Sequence, residues 1–411
     1  MYDQSINKNS LTNTLRRSDF HRFYDLRDED LRNFEIQKSI ACANLGVWAA
    51  SPLRISELRG KSVYALPQFS DELLVRKINN NIRHFKRITS PARTSIVANL
   101  ARIVSEGVGY RIYRLDVKSF FESFLVSNVL KMIDDIEILS LATKRLIRDL
   151  FRHFVAGGGS GIPRGLAISS TLSELMMAKF DLTLKNNKQV FFYARYVDDI
   201  IIITDGKEIE NSFVNMVGHL LPDGLQLSRK KQEVISVPKV GKNSNHHFNF
   251  EYLGYKFDVK DAGTKDTFRK VLLGISNGKV KKIKTRISCA FKDYCRTKNF
   301  SVLQARIKFL CGNFSLDDRD KGKKRLAGIY YNYHLIEASN EKCGLHELDR
   351  YLRSSILSGS GEISSAFKAL TTTQQRSRLL GSSFRHGFNE KIFLHYRGKT
   401  LSEIQECWKY A

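Results

Sequence analysis

FFYARYVDDIIIITDG, residues 191–206, sets two runs of strand-forming residues, 191–196 and 200–204, on either side of Val197, Asp198 and Asp199. Such runs around a short break predict a β-hairpin with two carboxylates at its tip. Both runs are nearly all apolar, so the hairpin is expected to be a central, covered part of a sheet. Two adjacent carboxylates beside a buried sheet repel each other unless something positive neutralises them, and a divalent metal ion is the economical answer. The competing reading is an ordinary turn, since aspartate is common in hairpins.

A third acid lies upstream in YRLDVKSFFESF, where a strand over residues 113–115 ends on Asp116 and the chain turns toward a helix. Asp116 and Asp198 are 82 residues apart. That is room for a helix, a Gly-rich loop, another helix and a return strand, so the two acids can stand side by side at neighbouring strand ends. Carboxylates converging from separate strands and a tight turn are what two Mg2+ ions need, with Mn2+ as an alternative. Between the acids lies VAGGGSGIPRGLAISSTLSELMMAKFD. Its Gly157, Gly158, Gly159, Gly161 and Gly165 predict a loop whose backbone can approach a ligand closely. Ser169 or Ser170 is the expected cap of the next helix, with Leu172, Leu175, Met176 and Phe180 as its buried stripe.

The 411 residues suffice for two or three packed lobes. A composition 42% hydrophobic and 27% charged is that of a soluble globular protein. The 67 Lys and Arg against 42 Asp and Glu are less ordinary. A net charge of +25 concentrates polyanions and points first to nucleic acid. The six cysteines form no C-x-x-C pair and read as reduced thiols of a cytoplasmic protein. The first twenty residues hold no apolar signal region, and no run of 18 apolar residues occurs, so no membrane partner is expected.

Along the chain, residues 1–60 read as polar and helical, 61–110 as short strands and a helix, and 265–335 as helical. Between residues 269 and 325 stand 17 Lys and Arg against 4 Asp and Glu. There Val280, Ile283, Ile287 and Phe291 recur at helical spacing, with Lys281, Lys282, Lys284 and Arg286 largely off that face. Such a helix packs one side and offers the other to nucleic-acid phosphates; the bland alternative is a solvated face. Residues 340–411 show no pattern that decodes them.

Taken in order, these motifs resemble the reverse transcriptase family over roughly residues 80–260. LDVKSFFESF resembles the family's first carboxylate motif, with Asp116 as metal ligand, Val117 lending a backbone carbonyl, and Ser119, Phe120 and Phe121 at the nucleotide. The resemblance makes Phe121 the aromatic gate beneath the sugar, which excludes a 2′-hydroxyl; the alternative is that Phe120 or Phe121 is simply core. GIPRGLAIS is similar to the P-Q-G motif facing template and incoming base, although Arg164 stands where glutamine is usual, before Gly165. Arg164 contacts template or base in this reading, or else forms a salt bridge to a neighbouring acid. YVDD matches the signature that supplies Asp198 and Asp199 as further metal ligands. LQLSRKKQE resembles the family's next motif, which would place Lys231 near the leaving pyrophosphate as a proton donor, against the alternative of a solvated lysine. FEYLGYKF resembles the primer-grip hairpin, with Tyr252, Leu253 and Gly254. FKRITSPARTSIV resembles the fingers segment, with Arg87 and Arg93 on the triphosphate.

The resemblance implies an α+β right-hand polymerase with fingers, an antiparallel-sheet palm and a helical thumb. Its parts are expected at residues 1–110 (N-terminal region and fingers), 111–260 (palm with inserted fingers helices), 261–340 (basic thumb) and 341–411 (C-terminal extension). It implies RNA-templated addition of dNTPs to a 3′-hydroxyl, a DNA product and two Mg2+ ions. RIKFLCGNFSL, RLAGIYYNYHLI, SSFRHGFNEKIF and IQECW are similar to the unknown-group reverse transcriptases of prokaryotic antiphage systems, near relatives of the retron enzymes. That likeness implies bacterial defence, a small non-coding RNA as template, and a second reverse transcriptase or a second copy of the chain as partner. The alternatives are a template-independent or protein-primed DNA polymerase of the abortive-infection type, an RNA-dependent RNA polymerase, and a nucleic-acid-binding scaffold with an inactive palm.

Overall fold

The computed structural model describes residues 2–45, 53–58, 60–86, 91–241, 245–262, 268–317, 324–396 and 398–408. The chain forms two compact units. One is chiefly Met1–Ala92 with Gly109–Pro238; the other is Arg93–Val108 with Lys239–Asp318 and Lys323–Ala411.

In the first unit an exposed antiparallel hairpin joins β1 (Arg54–Leu58) to β2 (Lys61–Ala65). Four further strands are β3 (Tyr110–Asp116), β4 (Val190–Tyr196), β5 (Asp199–Thr204) and β6 (Glu233–Val237). They pair in the order β4-β5-β3-β6, every neighbour antiparallel. β5 is the inner member of the predicted hairpin, and its four consecutive isoleucines, Ile200 to Ile203, are all fully buried. Branching at Cβ stiffens such a run in favour of strand. The expectation of a wholly covered hairpin is corrected at β4, which lies at the sheet edge with Phe191 exposed.

The helices Leu141–Ala156, Ser169–Lys185 and Glu210–Leu220 pack Leu146, Leu150, Phe154, Leu172, Phe180 and Phe213 into one core with Tyr113, Leu115, Ile200 and Ile202. Full burial stabilises by about 1.5–3 kcal/mol for each such aliphatic side chain. Leu175 and Met176 of the predicted stripe are only half-buried, and Met177 takes the fully buried position. The N-terminal helices build a smaller core from Leu11, Leu26, Ile36, Phe69 and Leu73, beside a buried Arg76–Asp19 ion pair at 2.6 Å. The 61–110 region holds two helices, Phe69–Lys86 and Arg93–Val104, where one was expected.

The second unit contains an antiparallel sheet of β7 (His247–Tyr252), β8 (Tyr255–Asp261) and β9 (Arg269–Ile275), followed by the helices Asn277–Thr297 and Phe300–Cys311. A hairpin of β10 (Asn313–Asp317) and β11 (Lys324–Gly328) comes next. The expectation that residues 265–335 are all helical is therefore corrected: β9, β10 and β11 are strands. Apolar runs this short have no periodicity that separates strand from helix. The C-terminal residues that sequence did not decode are largely helical. Leu345–Leu357 and Glu362–Leu370 pack on Asn277–Thr297, with Phe367 edge-on to Phe291 at 4.7 Å. Among the described residues no helix is long and apolar enough to cross a membrane.

Candidate active site

Strand register brings the three acids together. Asp116, the last residue of β3, stands opposite Asp199, the first of β5, and the Val117 N–H donates to the Asp198 carbonyl at 3.1 Å. Tyr196 pairs with Asp199 across a two-residue turn, Val197-Asp198. Val197 has φ +61° and Asp198 does not share a positive φ, the pattern of a type II′ turn whose first position favours glycine. A β-branched residue held there costs about 1–3 kcal/mol and persists only where its surroundings impose it.

Asp116 is buried, and the Asp199 carboxyl is pushed up to about 6. Burial is the main cause, followed by the like charges of Asp198 and Asp116; Arg114 and Lys231 act the other way. Lys231 donates to Asp116 Oδ1 at 2.8 Å, and this bond with the surrounding carboxylates holds its ammonium above the ordinary lysine value. Three acids thus stand against two cations, Lys231 and Arg114, and the latter is shared with Glu233 at 3.1 Å. The acids are all hard oxygen donors, suited to a divalent cation in charge and in chemistry. As the side chains stand, with Lys231 on Asp116, no three His, Cys, Asp or Glu among the described residues converge enough to hold an ion. The convergence resides in the main-chain register, which does not depend on rotamers.

Beyond Asp116 the chain separates its two phenylalanines. Phe120 is core, edge-on to Phe121 and Phe124, so its ring does not face a nucleotide. Phe121 is half-exposed. Ser119, exposed with φ +46°, accepts the Ser123 N–H at 3.0 Å. Arg164 resolves to the acid-paired alternative: its Nε and Nη2 donate to Glu122 at 3.0 and 3.2 Å, and its guanidinium lies 4.9 Å from the Phe121 ring centroid.

The Gly-rich loop comes close to protein where a ligand was expected. A Cβ on Gly161 would fall 2.2 Å from the Phe121 carbonyl oxygen, and the Ile162 N–H donates to that oxygen. A Cβ on Gly165 (φ +103°) would fall 2.6 Å from the Tyr64 carbonyl oxygen. The predicted serine cap is also corrected. Ile168 occupies the N-cap position, and the Ser169 hydroxyl donates to the Pro163 carbonyl at 2.5 Å, tying the loop back on its helix.

Sequence reading missed Arg195. Its side chain is 3% exposed and lies between two acids of the Ser169–Lys185 helix. It donates to Asp181 from Nε and Nη2 (2.9 and 2.7 Å), to Glu174 from Nη1 and Nη2 (3.1 and 2.8 Å), and from Nη1 to the Val197 carbonyl (3.1 Å). Burial opposes its charge, but the bonds to Asp181 and Glu174 prevail and hold its pKa above the ordinary arginine value. The available signal was an arginine inside an apolar strand, which must find acids when buried.

In the second unit, β7 and β8 turn on Leu253 and Gly254, both at positive φ, while the flanking Tyr252 is buried. Arg93 donates from Nε to the Leu253 carbonyl at 2.8 Å and lies over the rings of Tyr255 and Tyr333. Its guanidinium thus braces this turn, where sequence had placed it on a triphosphate. Arg87 lies outside the described residues. On the Asn277–Thr297 helix Lys281 is exposed, Lys284 pairs with Glu347 at 2.6 Å, and Arg286 lies over the Trp408 ring. Lys282 is half-exposed. Part of the expected phosphate-binding face is therefore engaged by the C-terminal region.

Residues 65–257 match the family model described as "Reverse transcriptase (RNA-dependent DNA polymerase)". No curated protein matches the sequence. Among solved structures, the chain is similar to apo telomerase from Candida tropicalis at 12% identity and TM-score 0.37, covering 92% of this chain and 70% of that one. It is also similar to telomerase from Candida albicans in complex with a TWJ fragment of telomeric RNA, at 12% identity and TM-score 0.36, covering 87% of this chain and 61% of that one. At these scores the likeness does not extend the assignment. Residues 65–257 therefore carry a reverse transcriptase domain within an α+β fold, and the enzyme class that this domain indicates is RNA-directed DNA polymerase, a nucleotidyltransferase.

Proposed function

We propose that this chain copies RNA into DNA by adding dNTPs to a 3′-hydroxyl at Asp116, Asp198 and Asp199. The observation that carries the reading is the register that sets Asp116 opposite Asp199 and joins Val117 to Asp198. Asp116, Asp198, Asp199 and the Val117 carbonyl are the groups that would hold two Mg2+, or Mn2+, ions. When bound, these ions supply a lowered pKa at the attacking hydroxyl and charge stabilisation at the triphosphate. Phe121 forms the floor under the deoxyribose, with Ser119 and Gly165 lending main chain and Arg164 fixing the ring from above. Lys231, now beside Asp116, delivers a proton to the leaving pyrophosphate. Tyr252, Leu253 and Gly254 shape the primer grip, and Lys281, Lys282, Lys284 and Arg286 serve hybrid phosphates.

In this reading the right-hand parts follow the sequence-based division: fingers to residue 110, palm to 260, thumb to 340, and a C-terminal extension. The six free cysteines agree with a cytoplasmic setting. Antiphage defence with a small non-coding RNA template, and a second reverse transcriptase as partner, rest on the resemblance of the C-terminal motifs. Sequencing of nucleic acid co-purified from the native host tests that part. The chemistry is tested by single-nucleotide addition on an RNA-templated primer. Asp116→Asn and Asp198→Asn are expected to abolish addition while leaving folding intact, and near-normal addition by either would remove the metal assignment.

A further inference from the structure

We propose that Arg195 is a positioning residue that holds the catalytic turn in its strained form by gripping the Val197 carbonyl. Five hydrogen bonds on one buried guanidinium support this, four to acids and one to that carbonyl. Glu174 and Asp181 are seven residues apart on one helix, so they share a face and present a fixed double anchor. The anchored fork reaches past Tyr196 to the carbonyl of Val197, the residue before Asp198. Val197 is the position where the turn geometry asks for glycine and the chain supplies a β-branched residue. An unbraced valine would relax toward negative φ and carry the following peptide, with Asp198, out of register with Val117. The helix bearing the anchor begins directly after the Ile162-to-Ile168 loop, which Ser169 and Ile162 tie to Pro163 and Phe121. One arginine thus links the segment behind Phe121 to the acid turn.

Lysine at 195 would keep the charge but lose the planar fork, so it could not serve both acids and the carbonyl together. Glycine at 197 would remove the need for the brace, because it occupies positive φ without a Cβ penalty. Rescue of one change by the other therefore separates bracing from general structural support.

This inference rests on the polymerase reading, and the test keeps the two apart. Single-nucleotide addition and Mn2+ binding, the latter read by EPR of free Mn2+ without nucleic acid, are measured on the wild type and on Arg195→Lys, Glu174→Gln and each of these combined with Val197→Gly. Tyr193→Phe is the control. It removes a hydroxyl bond to Asp181 but leaves the Val197 contact untouched. Arg195→Lys is expected to lower kcat about a hundredfold, as a misplacement of about 1 Å does, with little change in KM for dNTP. Mn2+ affinity is expected to fall by about tenfold, the effect of losing a partner that orients a ligand. Adding Val197→Gly should recover at least about tenfold of the kcat loss, the size of a coupling between contacting residues. Glu174→Gln, which keeps the shape, is read in the same way and decides the matter if Arg195→Lys does not fold. A loss that Val197→Gly leaves unrelieved, or an equal loss of kcat in Tyr193→Phe, overturns the brace. Absence of addition by the wild type overturns the polymerase reading, and the Mn2+ arm still judges the brace.

Discussion

Two of the β-hairpins, one turning on Val197-Asp198 and one on Leu253-Gly254, each have an arginine that donates to a carbonyl of the turn. At Val197-Asp198 the arginine is Arg195, fully buried and neutralised by Glu174 and Asp181. At Leu253-Gly254 it is Arg93, half-buried and set against the faces of Tyr255 and Tyr333. The second turn has glycine at one of its positive-φ positions; the first has none. The first also carries two carboxylates, with Asp116 opposite. Similar main-chain devices thus serve different ends. One holds charge where charge repels itself, and the other holds shape alone. A buried ion cluster costs desolvation and adds little net stability, so its presence at the first turn fits a demand for position.

The two turns differ most at Asp198. Asp198→Asn should cut nucleotide addition by at least about a thousandfold, equivalent to about 4 kcal/mol of barrier. Its melting temperature should hold or rise, since a repelling charge is gone. Leu253→Asn, at the matching turn, keeps a residue tolerant of positive φ and should leave the chemical step nearly unchanged. Equal losses at the two turns would erase the distinction.

Next in size is the sugar. Phe121→Ala should raise use of rNTP relative to dNTP by about 10- to 100-fold, the range that one packed contact can discriminate. Competition between labelled rNTP and dNTP measures it, and an unchanged ratio would return Phe121 to the core. Arg164→Gln should move the ratio in the same direction by less, because the ring stays and only its cover is lost.

Gly254→Ala sharpens the second turn. Gly254 has φ +78°, and an added Cβ would lie 3.3 Å from both Arg93 Nη2 and Lys279 Cε. Stability should fall by about 1–2 kcal/mol in urea denaturation, the penalty of left-handed backbone for an L-residue. Addition at saturating template should persist.

The first turn carries a pH response between pH 4 and 7. The folded Asp199 carboxyl sits near 6, above its ordinary value of 3.8. A raised folded pKa means that the native state holds the proton more tightly. Its stabilising contribution is full below about pH 4 and is lost as pH climbs through about 6. The metal-free protein should therefore melt higher at pH 5 than at pH 7 by this contribution, and Asp199→Asn should remove it. Thermal melts of both proteins in chelator across that range measure the difference.

The smallest effect is expected on the Asn277–Thr297 helix. If exposed Lys281 meets a phosphate, Lys281→Gln should make the slope of log affinity against log salt shallower by about 0.7–0.9. Lys284→Gln should change it less, since that ammonium already pairs with Glu347.

How much of this was legible in the sequence follows from which contacts are local. Ile200 to Ile203 before a polar break declare a buried strand, and Asp198-Asp199 at its start declare the site. The single strand end at Asp116 completed the set from spacing alone. Arg195 could be seen as an anomaly in an apolar run, but its partners Glu174 and Asp181 lie on another element and only folding brings them near. The glycines of the 157–165 loop were visible, yet whether a Cβ would meet a ligand or the backbone of Phe121 and Tyr64 depends on tertiary approach. Strands β9, β10 and β11 escaped notice because runs of five to seven residues carry too few periods. Arg93 was expected on a phosphate because FKRITSPARTSIV resembles the fingers segment, and such a motif supplies a cation without saying which carbonyl it will cap.

The most direct measurement is the sequence of the product. Wild-type protein is given a heteropolymeric RNA, a short annealed primer, all four dNTPs and Mg2+, beside reactions with a DNA template, with no template and with Asp116→Asn. The expected product is DNA complementary to the RNA, made by the wild type and absent with Asp116→Asn. DNA of a sequence unrelated to the RNA, or made equally without template, would contradict it.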